Sequence, residues 1–381
     1  MVSERARSVD SFLAMDVLER ANEREDVVHL EVGEPDFDPP EAVFDAAVES
    51  LRAGNTGYTV ARGKPELRAA ISDRYERVYG VAVDPDRIVV TPGSSPGLLL
   101  SLATLVDPGD EVVLTDPHYA SYPKFVRFLN GVVRTVPLRA SEGFRPRPAD
   151  YERALGPDTS ALLVNSPANP TGAVLDGETL GEIAATAAAA DATVVSDEIY
   201  HGLSYGADEH TILEYTDEAF VLDGFSKRYG MTGWRLGWVV APPGYAEPLN
   251  RLAQHVLISA PNFVQDAGVA ALATDESWSA DVRDTYRDRR DRLLDAVAEW
   301  GLDPGYAPDG AYYVLADVSD LPGSSVDVAE LFLEEAGVAV TPGADFGERA
   351  GDYVRLSYAT DAGAIDEAAT RIARLLETHD R

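Results

Sequence analysis

The stretch Phe220-Val221-Leu222-Asp223-Gly224-Phe225-Ser226-Lys227-Arg228-Tyr229-Gly230-Met231-Thr232-Gly233-Trp234-Arg235-Leu236-Gly237 sets the architecture of this chain. A short apolar run empties into small and polar residues around a lysine, and a second run, Leu236-Gly237-Trp238-Val239-Val240, follows at once. Brief β-branched runs without polar alternation mark strands buried on both faces. The same beat extends N-terminally through Ile88-Val89-Val90, Val112-Val113-Leu114, Val132-Val133, Ala161-Leu162-Leu163-Val164 and Thr193-Val194-Val195. Between these runs, 96–106 and 178–190 read as helices, and 41–52 and 65–79 precede them as amphipathic helices. Buried strands alternating with helices define an α/β fold with a mostly parallel sheet.

After Pro242 the pattern changes. Long helical stretches are expected over 247–258, 263–272 and 282–300, then strand-like runs at 311–315, 338–340 and 353–358, and a closing helix over 361–377. This reads as a smaller α+β domain joined by the N-terminal residues. The division expected is 41–280 for the large domain, with 1–40 plus 281–381 forming the small one. At 381 residues, two domains sharing a cleft is the natural arrangement.

Lys227 stands at the carboxyl end of its strand, where α/β sheets place ligands. A lysine after a strand is ordinarily surface decoration. Here that reading is weakened, because the chain holds only Lys64, Lys124 and Lys227 against 65 acidic residues. A retained amine suggests chemistry that arginine cannot perform, since guanidinium does not lose its proton.

The formal charge is -33, spread among apolar residues, so the acid decorates folded surface and disfavours nucleic acid or anionic membrane as partners. Acid excess with lysine depletion resembles proteins of salt-loving organisms, which makes a halophilic archaeon the expected source and predicts weakening at low salt. Hydrophobic residues make up 45% and aromatics 8%, with much alanine, so a finely divided core is expected instead of an aromatic one. Without cysteine, disulfides and thiolate chemistry are excluded. Neither the N-terminus nor the alanine-rich 183–190 has a long apolar segment, and the expected location is the cytoplasm.

The string Gly224 to Gly237 resembles the cofactor-attachment signature of class I/II aminotransferases, pyridoxal-phosphate enzymes of fold type I, aspartate/aromatic aminotransferase-like. The resemblance runs from about Arg7 to the C-terminal helix and implies a seven-stranded, mostly parallel sheet. It implies Lys227 as the Schiff-base lysine and Arg235 as the phosphate's counter-charge. Gly224 stands where many relatives have a phosphate-binding serine, leaving Ser226 as a substitute hydroxyl. The remaining signatures follow in the family's order. Gly93-Ser94-Ser95 opens a helix that would take the phosphate on free N–H groups. Tyr119, within Asp116-Pro117-His118-Tyr119, matches an aromatic ring that stacks on the cofactor, while His118 reads as structural.

Asn169, in Asn165-Ser166-Pro167-Ala168-Asn169-Pro170-Thr171-Gly172, matches an asparagine serving both the cofactor's phenolic oxygen and the substrate carboxylate, with a cis bond before Pro170 in relatives. On turn chemistry alone it is a loop residue, and Asn165 reads as shaping that loop. Asp197 by itself is an acidic cap after a strand; the resemblance makes it the partner of the pyridine nitrogen. Tyr200 then binds the phenolic oxygen, and Glu198 has no family role. Arg355, inside the apolar run Val354 to Ala359, matches the carboxylate-binding arginine, whose planar fork suits two oxygens. Gly33 matches a backbone contact to substrate, Phe12 an entrance residue, and Tyr58 a tyrosine that reaches the neighbouring subunit's phosphate in a homodimer.

The activity implied moves the amino group of an L-amino acid (aspartate, aromatic or alanine-like) to a 2-oxo acid such as 2-oxoglutarate. Some bacterial aspartate aminotransferases of this branch have a lysine at the position of Ser95, and its absence puts aspartate in doubt. A lyase or decarboxylase on the same scaffold would share these residues. A dehydrogenase is disfavoured by the missing Gly-x-Gly-x-x-Gly fingerprint.

Overall fold

A computed structural model describes residues 2–379. Its strands are β1 (Val28–His29), β2 (Ile88–Thr91), β3 (Glu111–Asp116), β4 (Val132–Pro137), β5 (Thr159–Asn165) and β6 (Thr193–Asp197), followed by β7 (Ala219–Gly224), β8 (Gly237–Val240), β9 (Tyr313–Asp317), β10 (Val338–Ala339), β11 (Thr341–Pro342) and β12 (Tyr353–Ser357). Seven of them form one sheet in the order β2-β8-β7-β6-β5-β3-β4. The pairs among β3 to β7 are parallel, and β8 alone runs against its neighbours β7 and β2. The loop carrying Lys227 holds no helix to cross the sheet, so the chain returns antiparallel.

Strand alternation sorts the apolar residues into two layers. Val89, Leu222 and Val239 face the helices Ser94–Leu105 and Ala246–Val256. Val90, Val221 and Val240 face Pro65–Tyr79, Gly177–Ala189 and Asn262–Leu272. Both faces are covered, which is why these strands carry no polar alternation. The helix expected from Pro96 begins at Ser94, because proline is tolerated in a first turn that needs no N–H.

A three-stranded antiparallel sheet, β11-β12-β9, is built by the C-terminal third. β1 pairs with β10 in parallel, Val28 opposite Val338, so the N-terminal segment joins this part. The run 338–340 divides: Val338–Ala339 pairs with β1, whereas Thr341–Pro342 pairs with β12. The long helix starts at Glu276, earlier than 282, where the Asp275 side chain accepts from Ser277 N–H and caps it.

One expectation is corrected. The core behind the small sheet is rich in aromatics, with Tyr286, Tyr312, Tyr313, Tyr358 and Phe332 all buried. A chain-wide average conceals this clustering. Tyrosine fills volume while its hydroxyl can reach a polar partner, as the hydroxyls of Tyr312 and Tyr313 do at the cleft described next.

Candidate active site

Loops leaving the carboxyl ends of β2, β3, β5, β6 and β7 converge on one cleft of about 230 Å³. They bring Ser94, Ser95, Tyr119, Asn169, Asp197, Tyr200, Ser226, Lys227 and Arg235 to its lining, and Arg355 from the small sheet and Gly33 from the N-terminal segment close it. Phe12 also lines it, edge-on to Tyr119 at 6.1 Å between ring centroids. Tyr58, also given a site role from sequence, lies outside this lining and is 83% exposed on the surface.

At one end Arg235 lies over the start of the helix Ser94–Leu105. Gly93 has φ +96°, a backbone conformation that favours glycine, and a Cβ there would come 2.5 Å from Arg235 Nη2. No side chain caps this helix start. A guanidinium facing a helix N-terminus makes an anion site without further residues. Arg235 is anchored by Nη1 donating to Thr232 O at 2.7 Å. Gly224 is closely packed: an added Cβ would meet Ile199 Cδ1 and Leu236 O at 3.1 Å each.

In the middle, Asp197 is 7% exposed at the end of β6. Its Oδ2 accepts from Tyr122 Oη at 2.8 Å and its Oδ1 from Ile199 N at 3.2 Å. Burial raises its pKa to about 6, with those two hydrogen bonds pulling the other way, so it is ionised near neutrality. Lys227 Nζ donates to Gly33 O at 2.7 Å. The residue keeps some exposure to the cleft, but its amine is surrounded by protein atoms. Desolvation, reinforced by Arg355, lowers its pKa to about 8. At pH 7 roughly a tenth of such amines are neutral, against a few in ten thousand for an ordinary lysine.

At the far end Arg355 is 3% exposed, its guanidinium held between the rings of Tyr313 at 4.3 Å and Phe346 at 4.7 Å. Nη1 donates to Asn169 Oδ1 at 3.0 Å, and Nη2 donates to Glu31 O at 2.6 Å and Thr341 Oγ1 at 3.2 Å. Its Nε is buried without a hydrogen-bond partner among the described residues. A buried guanidinium with donor capacity left over, lining an open cleft, is suited to an incoming carboxylate. Asn169 precedes a cis Pro170, and its N–H donates to Asn165 Oδ1 at 2.8 Å. Asn165 Nδ2 in turn donates to Asp197 O at 2.8 Å, so this side chain shapes the loop.

Three tyrosines at the site escaped the sequence reading. Tyr122 donates to Asp197, Tyr312 Oη donates to Gly33 O at 2.8 Å, and Tyr313 Oη lies 2.9 Å from Tyr200 Oη. Only Tyr122 had a local signal, three residues beyond Tyr119. Glu198 is structural: Oε1 accepts from Ser196 Oγ, Thr211 Oγ1 and Ile212 N, and burial raises its pKa to about 8. His118 is buried, and burial lowers its pKa to about 4.

A phosphorylated pyridine aldehyde would need an anion site, a carboxylate for its ring nitrogen and an amine for its aldehyde. The cleft has all three in one lining, and no group of three or more potential metal ligands occurs among the described residues. Fold and site together define a fold type I pyridoxal-phosphate enzyme.

The model of the family "Aminotransferase class I and II" matches residues 25–372. The chain is 41% identical over 363 residues to an aspartate/prephenate aminotransferase of Thermus thermophilus, covering 94% of this chain and 93% of that one. It is 39% identical over 376 residues to a valine–pyruvate aminotransferase of Mycobacterium tuberculosis, 97% of each chain. The solved aspartate aminotransferase from Thermus thermophilus with maleate superposes with a TM-score of 0.95 at 38% identity, over 98% of this chain and 99% of that one. The chain belongs to the class I and II aminotransferases. It is a pyridoxal-phosphate-dependent transaminase, with a 2-oxo acid as amino acceptor.

Proposed function

We propose that Lys227, Asp197 and Arg355 divide the work of transamination, and that the amino donor is an aspartate-, aromatic- or alanine-like L-amino acid with a 2-oxo acid such as 2-oxoglutarate as partner. When bound, pyridoxal phosphate supplies an aldehyde that bonds amines and a ring that takes up the electron pair of a breaking Cα–H bond. Ser94 and Ser95 with Arg235 hold the phosphate, and Ser226 lends a hydroxyl to that end. Asp197, ionised at neutral pH, keeps the ring nitrogen protonated. Asn169 and Tyr200 serve the ring's phenolic oxygen, and Tyr119 covers the ring. Arg355, with Asn169 and the backbone of Gly33, fixes the substrate carboxylate. That grip orients the Cα–H bond, and Lys227 Nζ takes the proton from Cα and would return it at the cofactor's C4′ carbon, one amine serving as base and then acid. What carries the reading is an amine with a pKa of about 8 sharing one cleft with a buried carboxylate and two guanidiniums.

The working unit in this proposal is a homodimer in the cytoplasm, with Tyr58 completing the neighbouring site. Support comes from the exposure of Tyr58 and of nearby Val60, and from the absence, among the described residues, of a helix long and apolar enough to cross a membrane. The domains divide as 41–280 and 1–40 plus 281–381. A panel of amino donors and oxo-acid acceptors, run with cofactor-saturated enzyme in molar salt, tests the reading. Expected is one oxo acid formed per cofactor converted, with its absorbance change. Release of ammonia or carbon dioxide without that stoichiometry would instead indicate a lyase or decarboxylase.

A further inference from the structure

Tyr200 Oη and Tyr313 Oη face each other at 2.9 Å, both residues buried. The two come from opposite walls of the cleft, Tyr200 from the loop after β6 and Tyr313 from β9. Tyr313 has a second contact. On the small sheet Arg355 pairs with Leu315, and Tyr313, two residues along, shares that face, so its ring lies against the Arg355 guanidinium at 4.3 Å. Its hydroxyl also occupies the space a side chain at Gly33 would need, since a Cβ there would fall 1.6 Å from Tyr313 Oη.

We infer that Tyr313 is a positioning residue, its hydroxyl donating to Tyr200 so that the Tyr200 proton is free for the cofactor's phenolic oxygen, and its ring holding Arg355 flat for the substrate carboxylate. This rests on the roles proposed above for Tyr200 and Arg355. A phenol has one proton to give and lone pairs to receive. If Tyr200 spends that proton on the cofactor, its own oxygen needs a donor, and Tyr313 is in reach. Burial holds the Tyr200 phenol well above its ordinary pKa, so it acts as a neutral donor. Because one side chain contacts both, the carboxylate end and the ring end of the site are joined through Tyr313.

The test follows the cofactor absorbance of the loaded enzyme against pH, without substrate. Losing a donor to Tyr200 weakens its support of the phenolic oxygen's anionic form, so Tyr313→Phe moves the spectral midpoint up by about half a pH unit or more. In a Tyr200→Phe background the same change adds no further shift. Affinity for 3-phenylpropionate, read by absorbance titration, separates ring from hydroxyl. Tyr313→Phe keeps it within about twofold, and Tyr313→Leu weakens it about tenfold. An unchanged midpoint in Tyr313→Phe, or an equal shift in both backgrounds, overturns the inference. A wild-type enzyme that binds no cofactor overturns the parent reading first, before any variant is made.

Discussion

On one wall of the cleft, Asp197 closes β6 and Lys227 follows β7 by three residues, strands built around Val194-Val195 and Phe220-Val221-Leu222. On the other, Arg355 is sandwiched between Tyr313 and Phe346 and tied to Asn169, 186 positions away in sequence. The first wall takes its geometry from the sheet: once the strands pair, the residues at their ends have nowhere else to go. The second is an aromatic assembly whose parts meet only when the three-stranded sheet, the N-terminal segment and the loops of the large sheet are all in place. The proposed roles put the chemistry that reorganises electrons on the sheet-built wall and recognition of the substrate on the assembled one.

If that division is right, changes on the two walls should fail differently. Asp197→Asn keeps the shape and removes the charge proposed to hold the ring nitrogen protonated. Turnover should drop by about 10²- to 10³-fold with cofactor still bound, as single-turnover spectra would show. A comparable drop in cofactor affinity would mean that this wall also does the binding. Arg355→Lys replaces a planar fork with a point charge, and the expected loss is about 30-fold, mainly in KM for oxo acids. A loss confined to kcat would break the comparison.

The depressed pKa of Lys227 gives a third discriminator. Only the neutral amine adds to an aldehyde, so reattachment of pyridoxal phosphate to apoenzyme should quicken about tenfold per pH unit and level off near pH 8. An ordinary exposed lysine would keep accelerating toward pH 10. The smallest effect concerns both walls equally. Arg20–Glu334 and Arg24–Glu334 are exposed pairs and contribute little, whereas a charge of -33 repels itself throughout. The thermal unfolding midpoint should therefore fall when salt is lowered from about 2 M to 0.1 M, as repulsion loses its screening. A flat profile would remove the link between composition and salt.

The same contrast explains what the sequence disclosed. Six of the seven sheet strands were legible because a strand buried on both faces leaves a nearly uninterrupted apolar run, and Lys227 and Asp197 follow such runs closely, whereas the exposed edge strand β4 showed only Val132-Val133. Lys227 was easier still, as one of three lysines in an acid-rich chain. Arg355 was legible as a charge inside a strand, and through its resemblance. Tyr312 and Tyr313 were not, since two tyrosines in an apolar run look like core, and their hydroxyl partners, Gly33 and Tyr200, lie 279 and 113 positions away. The aromatic core was hidden by averaging. The early helix starts at Ser94 and Glu276 depended on capping and first-turn tolerance, which apolar periodicity does not report.

The proposed roles require the amine of Lys227 to be bonded to the cofactor at rest and released by substrate before it acts as base. Borohydride reduction of the cofactor-loaded enzyme followed by peptide mass analysis reads that bond directly. The account predicts a phosphopyridoxyl mass on the peptide holding Lys227, absent from Lys64 and Lys124 and lost in Lys227→Ala. An unmodified Lys227 peptide, or label on either of the other two lysines in its place, would contradict it.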